Sequence, residues 1–139
     1  MIRLAYISSA SPDLLEDDIV ALAQKAADFN ATHEITGLLL YNGLNFLQFL
    51  EGQEAAVTDL FAAIVLDPRH AGVVKILQEP ISERAFPGWG MRYDRILCSA
   101  LPASVTQTLP ANIGQATLPD NAPEHLRRIA ENFDTLSPA

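Results

Sequence analysis

Residues Ile35 to Gly52 hold two apolar runs, Ile-Thr-Gly-Leu-Leu-Leu-Tyr and Phe-Leu-Gln-Phe-Leu-Glu-Gly, joined at Asn42-Gly43. Such a pattern predicts a β-hairpin. Asn-Gly at the centre suits a two-residue type I′ turn, because both positions need positive φ. On a strand of period two, Gln48 shares a face with Phe46 and Leu50, while Leu47 and Phe49 take the other, so both faces are expected to be buried. A primary amide is thereby placed in a core, where lacking partners costs about 2–7 kcal/mol. Two readings stay open on this strand alone: an amide bonded to neighbouring backbone, or a contact to a ligand or switch.

The rest of the chain predicts what surrounds the hairpin. Ile2 to Ser8 reads as a first strand with Ile2, Leu4, Tyr6 and Ser8 on one face. Ser11 and Pro12 suit the N-cap and first position of a helix reaching Phe29, with Leu15, Ile19, Leu22, Ala26 and Phe29 as its apolar stripe. Ala23, Ala26 and Ala27 leave room beside its last turns. Asn30 then serves either as a left-handed helix-ending residue or as an amide facing a ligand. A second helix is expected from Gln53, burying Val57, Leu60, Phe61 and Ile64, and ending before Pro68. Asp67, Pro68, Arg69 and His70 form a short loop, read as a solvated turn or as a grip on polar parts of a ligand. Val73 to Leu77 is a fourth strand. Trp89 to Tyr93 is a fifth, with Trp89 and Met91 on one face, where packing is the ordinary role of such a pair. Beyond Ser99 the prolines punctuate two short helices, Ala103 to Leu109 and one from Pro123 to about Phe133, whose stripe packs on the bare sheet face or on another subunit.

Composition excludes several classes. With 139 residues and 49% hydrophobic content the chain suits one core. Its net charge of −8 is the wrong sign for gripping nucleic-acid phosphates. Its single cysteine, Cys98, permits no internal disulfide and is read as a packing residue. His33 has no second ligand at metal spacing, so no metal site is expected. Without a leader or a long apolar run, a cytoplasmic protein with no membrane association is expected.

The order strand, helix, strand, strand, helix, strand, strand predicts an α+β fold: a ferredoxin-like βαββαββ sandwich of one mixed five-stranded sheet with two helices on one face, plus C-terminal helices. Fold alone leaves activity open.

The residues Leu4-Ala5-Tyr6-Ile7-Ser8, Asn30, Ile35 to Tyr41, Phe46 to Gly52, Asp67-Pro68-Arg69-His70 and Arg84 to Met91 together resemble the BLUF domain, a blue-light sensor that uses flavin. The resemblance covers residues 1–97, leaving 98–139 as a helical extension for capping or oligomerisation. It implies a non-covalent flavin between the two helices, FAD in the first place, with FMN or riboflavin as alternatives. Tyr6 corresponds to the photochemical electron and proton donor, and Gln48 to the glutamine bridging it to the flavin, whose hydrogen bonds rearrange in light. Asn30 matches a residue bonding the ring's polar edge, and Asp67, Arg69 and His70 lie toward the ribityl and phosphate end. Trp89 and Met91 match the strand that responds to light. Ser8 and Ile64 are a hydrogen-bonding neighbour and an apolar wall. Phe29 and Ala26 depart from the polar residues that relatives often carry near the ring.

A non-enzymatic photoreceptor that signals to a protein partner, or by self-assembly as a homo-oligomer, is what the resemblance implies. Two other classes compete. A flavin reductase would need a nicotinamide-binding pattern, and G-x-G-x-x-G is absent from the sequence. A cofactor-free interaction module would be colourless.

Overall fold

A computed structural model of the chain describes residues 1–11, 15–68, 70–95, 118–119, 122–131 and 133. Its elements are β1 (Ile2–Ala10), α1 (Glu16–Thr32), β2 (Thr36–Tyr41), β3 (Asn45–Gly52), α2 (Glu54–Val65), β4 (His70–Pro80), β5 (Arg92–Arg95) and a terminal helix α3 (Glu124–Glu131). The sheet order is β4-β1-β3-β2-β5, in which the first four strands are antiparallel and β5 runs parallel to β2. The central strands β1 and β3 are buried on both faces, as strands inside a covered sheet are.

Two core clusters occupy the two faces. Leu4, Tyr6, Leu39, Phe46 and Leu50 pack with Ile19, Ala23 and Val57 of α1 and α2. On the other face Ala5, Ile7, Leu38, Leu47 and Phe49 meet Phe86 and, from the chain's end, Leu126, Ala130 and Phe133. The stripe of α3 therefore lies on the sheet face that α1 and α2 leave bare.

Several boundaries differ from the sequence expectation. Helix α1 starts at Glu16, with Leu15 at the N-cap, where Asp18 accepts from the Leu15 N–H at 3.0 Å. The Asp18 carboxylate thus takes up the N-cap N–H, no N-cap side chain caps the helix, and Pro12 lies outside the described residues. The ends of the expected stripe, Leu15 and Phe29, are exposed, whereas Ile19 and Ala23 are buried. Asn30 does not end α1, which continues to Thr32; the left-handed residue is Glu34, at φ 56°. The hairpin turn is shifted by one residue: Tyr41 pairs with Phe46, so Gly43 and Leu44 are central and Gly43, at φ 98°, takes the only positive φ. That is the type II′ pattern, and Asn42 stabilises it from the flank by accepting from the Leu44 and Asn45 N–H groups. Strand β4 is longer than expected and β5 begins only at Arg92. The expected helix from Ala103 to Leu109 and the position of Cys98 lie outside the described residues.

Gly37 fixes how closely the segment before β5 approaches the hairpin. Its N–H donates to the Trp89 carbonyl at 2.8 Å, and an added Cβ would stand 2.0 Å from the Phe49 carbonyl oxygen. Backbone, unlike a flexible side chain, cannot yield to that contact. Gly37→Ala should lower unfolding free energy by about 1–3 kcal/mol, the cost of overpacking, in urea titrations. An unchanged midpoint would show that the strands separate freely there.

Candidate functional site

The site is assembled from one cross-strand pair and one short segment. Tyr6 on β1 lies opposite Gln48 on β3, and Leu39 of β2 lies opposite Gln48 on its other side. The Tyr6 hydroxyl donates to Gln48 Oε1, and Gln48 Nε2 donates to Met91 Sδ at 3.3 Å. Gln48 is 6% exposed, so this buried amide is held by a phenol at one end and a thioether at the other. The bonds are unequal, since a thioether is a weak acceptor. Tyr6 is fully buried and its ring packs on Phe61 of α2, with centroids 5.6 Å apart. Burial first, and then the charge of Asp67, push its hydroxyl far above the ordinary phenol range. It stays protonated and able to donate.

A second amide joins the same segment. Asn30 is fully buried in the last turns of α1, and its Nδ2 donates to the Gly90 carbonyl at 2.8 Å. Its Oδ1 is buried with no hydrogen-bond partner among the described residues. Consecutive residues, Gly90 and Met91, thus meet the two amides. A cavity of about 230 Å³ opens between α1 and α2 beside them, lined by Ala23, Ala26, Asn30, Leu39, Gln48, Ile64 and Asp67 among others. The small stripe of α1 makes this space, with Ala27 closing on Gly90 just outside it.

Not every expected residue converges here. Asn30, Gln48, Ile64 and Asp67 line the cavity, and Tyr6 and Met91 bond to its wall. Ser8 is buried on β1, two residues along from Tyr6. Trp89 is not a companion of Met91: it packs against Phe86 with centroids 5.7 Å apart, on the opposite sheet face, while Met91 belongs to the Tyr6 side. The alternation expected of a strand does not apply, because residues 85–91 form a turn-rich segment with Gly88 at φ 78°. Arg69 and the side chain of His70 lie outside the described residues, and the backbone of His70 opens β4. Among the described residues no group of three metal-ligating side chains occurs, and no helix is long and apolar enough to cross a membrane.

Phe29 lines the cavity, as its expected place near the ring implies. Three features escaped the sequence reading. Phe29 stacks on His33, 4.1 Å between centroids. Arg84 fastens the start of the Met91 segment to the Thr36 hydroxyl and to the Glu51 and Glu34 carbonyls. Glu51, fully buried, accepts from the Ala85 and Phe86 N–H groups, each at 2.9 Å. An acid in a strand apolar on both faces was the available signal for the last.

Comparison with known proteins agrees with this geometry. Residues 1–92 match the family model described as BLUF, sensors of blue-light using FAD. The chain belongs to the BLUF family. The photoactivated adenylate cyclase subunit beta of Euglena longa is 46% identical over 85 residues, 60% of this chain and 10% of that protein. The BLUF protein BlrB in its dark state superposes with a TM-score of 0.65 at 38% identity, covering 68% of this chain and 71% of that one. Klebsiella pneumoniae BlrP1 with FMN and cyclic diGMP gives a TM-score of 0.71 at 31% identity, over 96% of this chain and 34% of that one. The chain spans about a tenth of the Euglena cyclase relative.

The raised Tyr6 ionisation has a consequence for stability. The folded protein holds a proton that the unfolded chain releases near pH 10, so this contribution is complete below about pH 10 and declines as pH rises above it. Tyr6→Phe should remove that part of the alkaline decline, read as urea midpoints at pH 8 and 11. An equally steep decline in the variant would mean that Tyr6 ionises normally.

Proposed function

We propose that this BLUF protein is a blue-light photoreceptor that holds a flavin in the cavity between α1 and α2. The observation that carries the reading is the buried Asn30 Oδ1, an acceptor without a partner among the described residues, on a residue that lines the cavity. A buried orphan acceptor costs about 1–3 kcal/mol, and a ring N–H of a flavin would satisfy it. The apolar walls of Leu39, Leu60 and Ile64 suit a flat ring, and Asp67, with Arg69 and His70 following it, suits a polar tail. FAD is the proposed flavin, in keeping with the family description, with FMN the alternative found in BlrP1.

When bound, the flavin supplies blue absorption and an electron acceptor. The chain's own residues do the rest. Tyr6, kept protonated, is the donor of an electron and of its phenolic proton, both of which it regains. Gln48 is the group that changes: turning its amide exchanges carbonyl and NH₂ between Tyr6 and Met91, and so alters what it offers the cavity. Met91, and Trp89 behind it, form the first relay outward. Residues 1–97 are the proposed sensor unit and 98–139 the extension through which it acts, by altered binding to a protein partner or to a second copy in the cytoplasm. The chain itself carries no proposed catalytic activity; the Euglena relatives are named as cyclases and are far longer.

Protein purified in the dark should be yellow and show a reversible red shift under blue light. Tyr6→Phe should stay yellow and lose the shift, and Asn30→Ala should bind flavin about tenfold more weakly, from 1.4 kcal/mol of lost hydrogen bonding. A colourless protein would instead favour an interaction module, and bleaching by NADH a reductase.

A further inference from the structure

A row of charges crosses the sheet on the face opposite the cavity. Arg3, on the central strand β1, lies opposite Glu51 of β3 on one side and Glu79 of β4 on the other. Its Nε donates to Glu51 Oε2 at 2.8 Å and its Nη1 to Glu79 Oε1 at 2.5 Å. Glu51 and Arg3 are both buried. At one end of the row, Glu51 spends its remaining capacity on the Ala85 and Phe86 N–H groups, at the start of the segment that delivers Gly90 to Asn30 and Met91 to Gln48. At the other end, Glu79 meets His125 Nε2 of α3 at 2.8 Å.

We propose that Glu51 is a positioning residue that ties the Gly90–Met91 segment, through Arg3 and Glu79, to the terminal helix α3. The inference deepens the photosensor reading by naming the path along which a change at Gln48 reaches the C-terminal extension. The physical reason is the cost of partial rupture. A buried carboxylate that loses one of three donors, or a buried guanidinium that loses one of two carboxylates, is left undercompensated in low dielectric, so the members shift together. The Glu79 carboxyl fits this chain: burial would raise it, but the hydrogen bonds from His125 and Arg3 bring it below the ordinary carboxylate range. The path does not use β5. It runs at right angles to the strands, along hydrogen-bonded side chains that sit in register, and it explains why an acid and a base occupy strands buried on both faces.

Coupling between two sites is reciprocal, which gives a test that needs neither light nor flavin. Amide hydrogen exchange is measured in the dark on the full chain, with the Leu40 amide in β2 as the reference for global opening. Glu51→Gln should speed exchange about tenfold at Ala85 and Phe86, where a charge-assisted bond is lost, and about threefold across residues 124–131. His125→Ala, a change at a half-exposed position, should speed exchange at Ala85 and Phe86 about threefold while Leu40 is unchanged. A merely structural role predicts the opposite: each variant loosens only the amides beside itself. That outcome in His125→Ala would overturn the proposal even if Glu51→Gln did not fold. Failure of the protein to bind flavin would count against the photosensor reading and would leave these exchange rates to decide the coupling.

Discussion

The structure depends on a primary amide buried between unequal partners. Gln48 accepts from a phenol and donates to a thioether, so one bond fixes its orientation and the other barely resists change. Turning the amide would break its bond from the phenol and set its carbonyl against the sulfur of Met91, which has no proton to give, and the first loss is the larger. A group in the cavity that offers a better partner to either end would shift the balance. Such a position is stable at rest and movable by a small input, and an input of about 1–3 kcal/mol is the usual size of coupling between sites.

Everything around Gln48 serves to hold that choice sharp. Register across β1, β3 and β2 sets Tyr6 and Leu39 on either side of it, and a slip by one residue would turn all three to the other face. Burial keeps Tyr6 protonated, which keeps it a donor. Gly37 lets the Trp89 to Met91 segment lie against the hairpin, while Arg84 and Glu51 fasten the start of that segment to β3. Asn30 then binds the same segment from α1. The two amides that border the cavity are thereby linked through two consecutive residues, and whatever moves one strains the other.

Much of this was legible in the sequence because it follows from period and spacing. Alternation set Tyr6 and Gln48 each among the apolar residues of its own strand, the i, i+3 and i+4 pattern gave the second helix its buried stripe from Val57 to Ile64, and the BLUF resemblance brought Tyr6, Gln48 and Asn30 to one flavin site. What was not legible depended on contacts distant in the chain. Trp89 and Met91 part company because a turn, not a strand, carries them, and only the Gly37 N–H to Trp89 carbonyl bond reveals where that turn sits. The hairpin turn moved by one residue because the Asn42 side chain, bonding forward to two N–H groups, stabilises a turn centred on Gly43 and Leu44. The charge row was present in the sequence only as three separate residues, Arg3, Glu51 and Glu79. Their register across three strands made it a row.

The central claim is that the Gln48 side chain, and not a movement of the whole cavity, is the switching group. Light-minus-dark infrared spectra of flavin-loaded protein carrying isotope-labelled glutamine side chains test it most directly, with Gln48→Leu as the subtraction that isolates Gln48 from the other glutamines. The account predicts a reversible shift of the labelled amide carbonyl band that follows the visible red shift and vanishes in Gln48→Leu. A full visible red shift with the Gln48 band unmoved would contradict it.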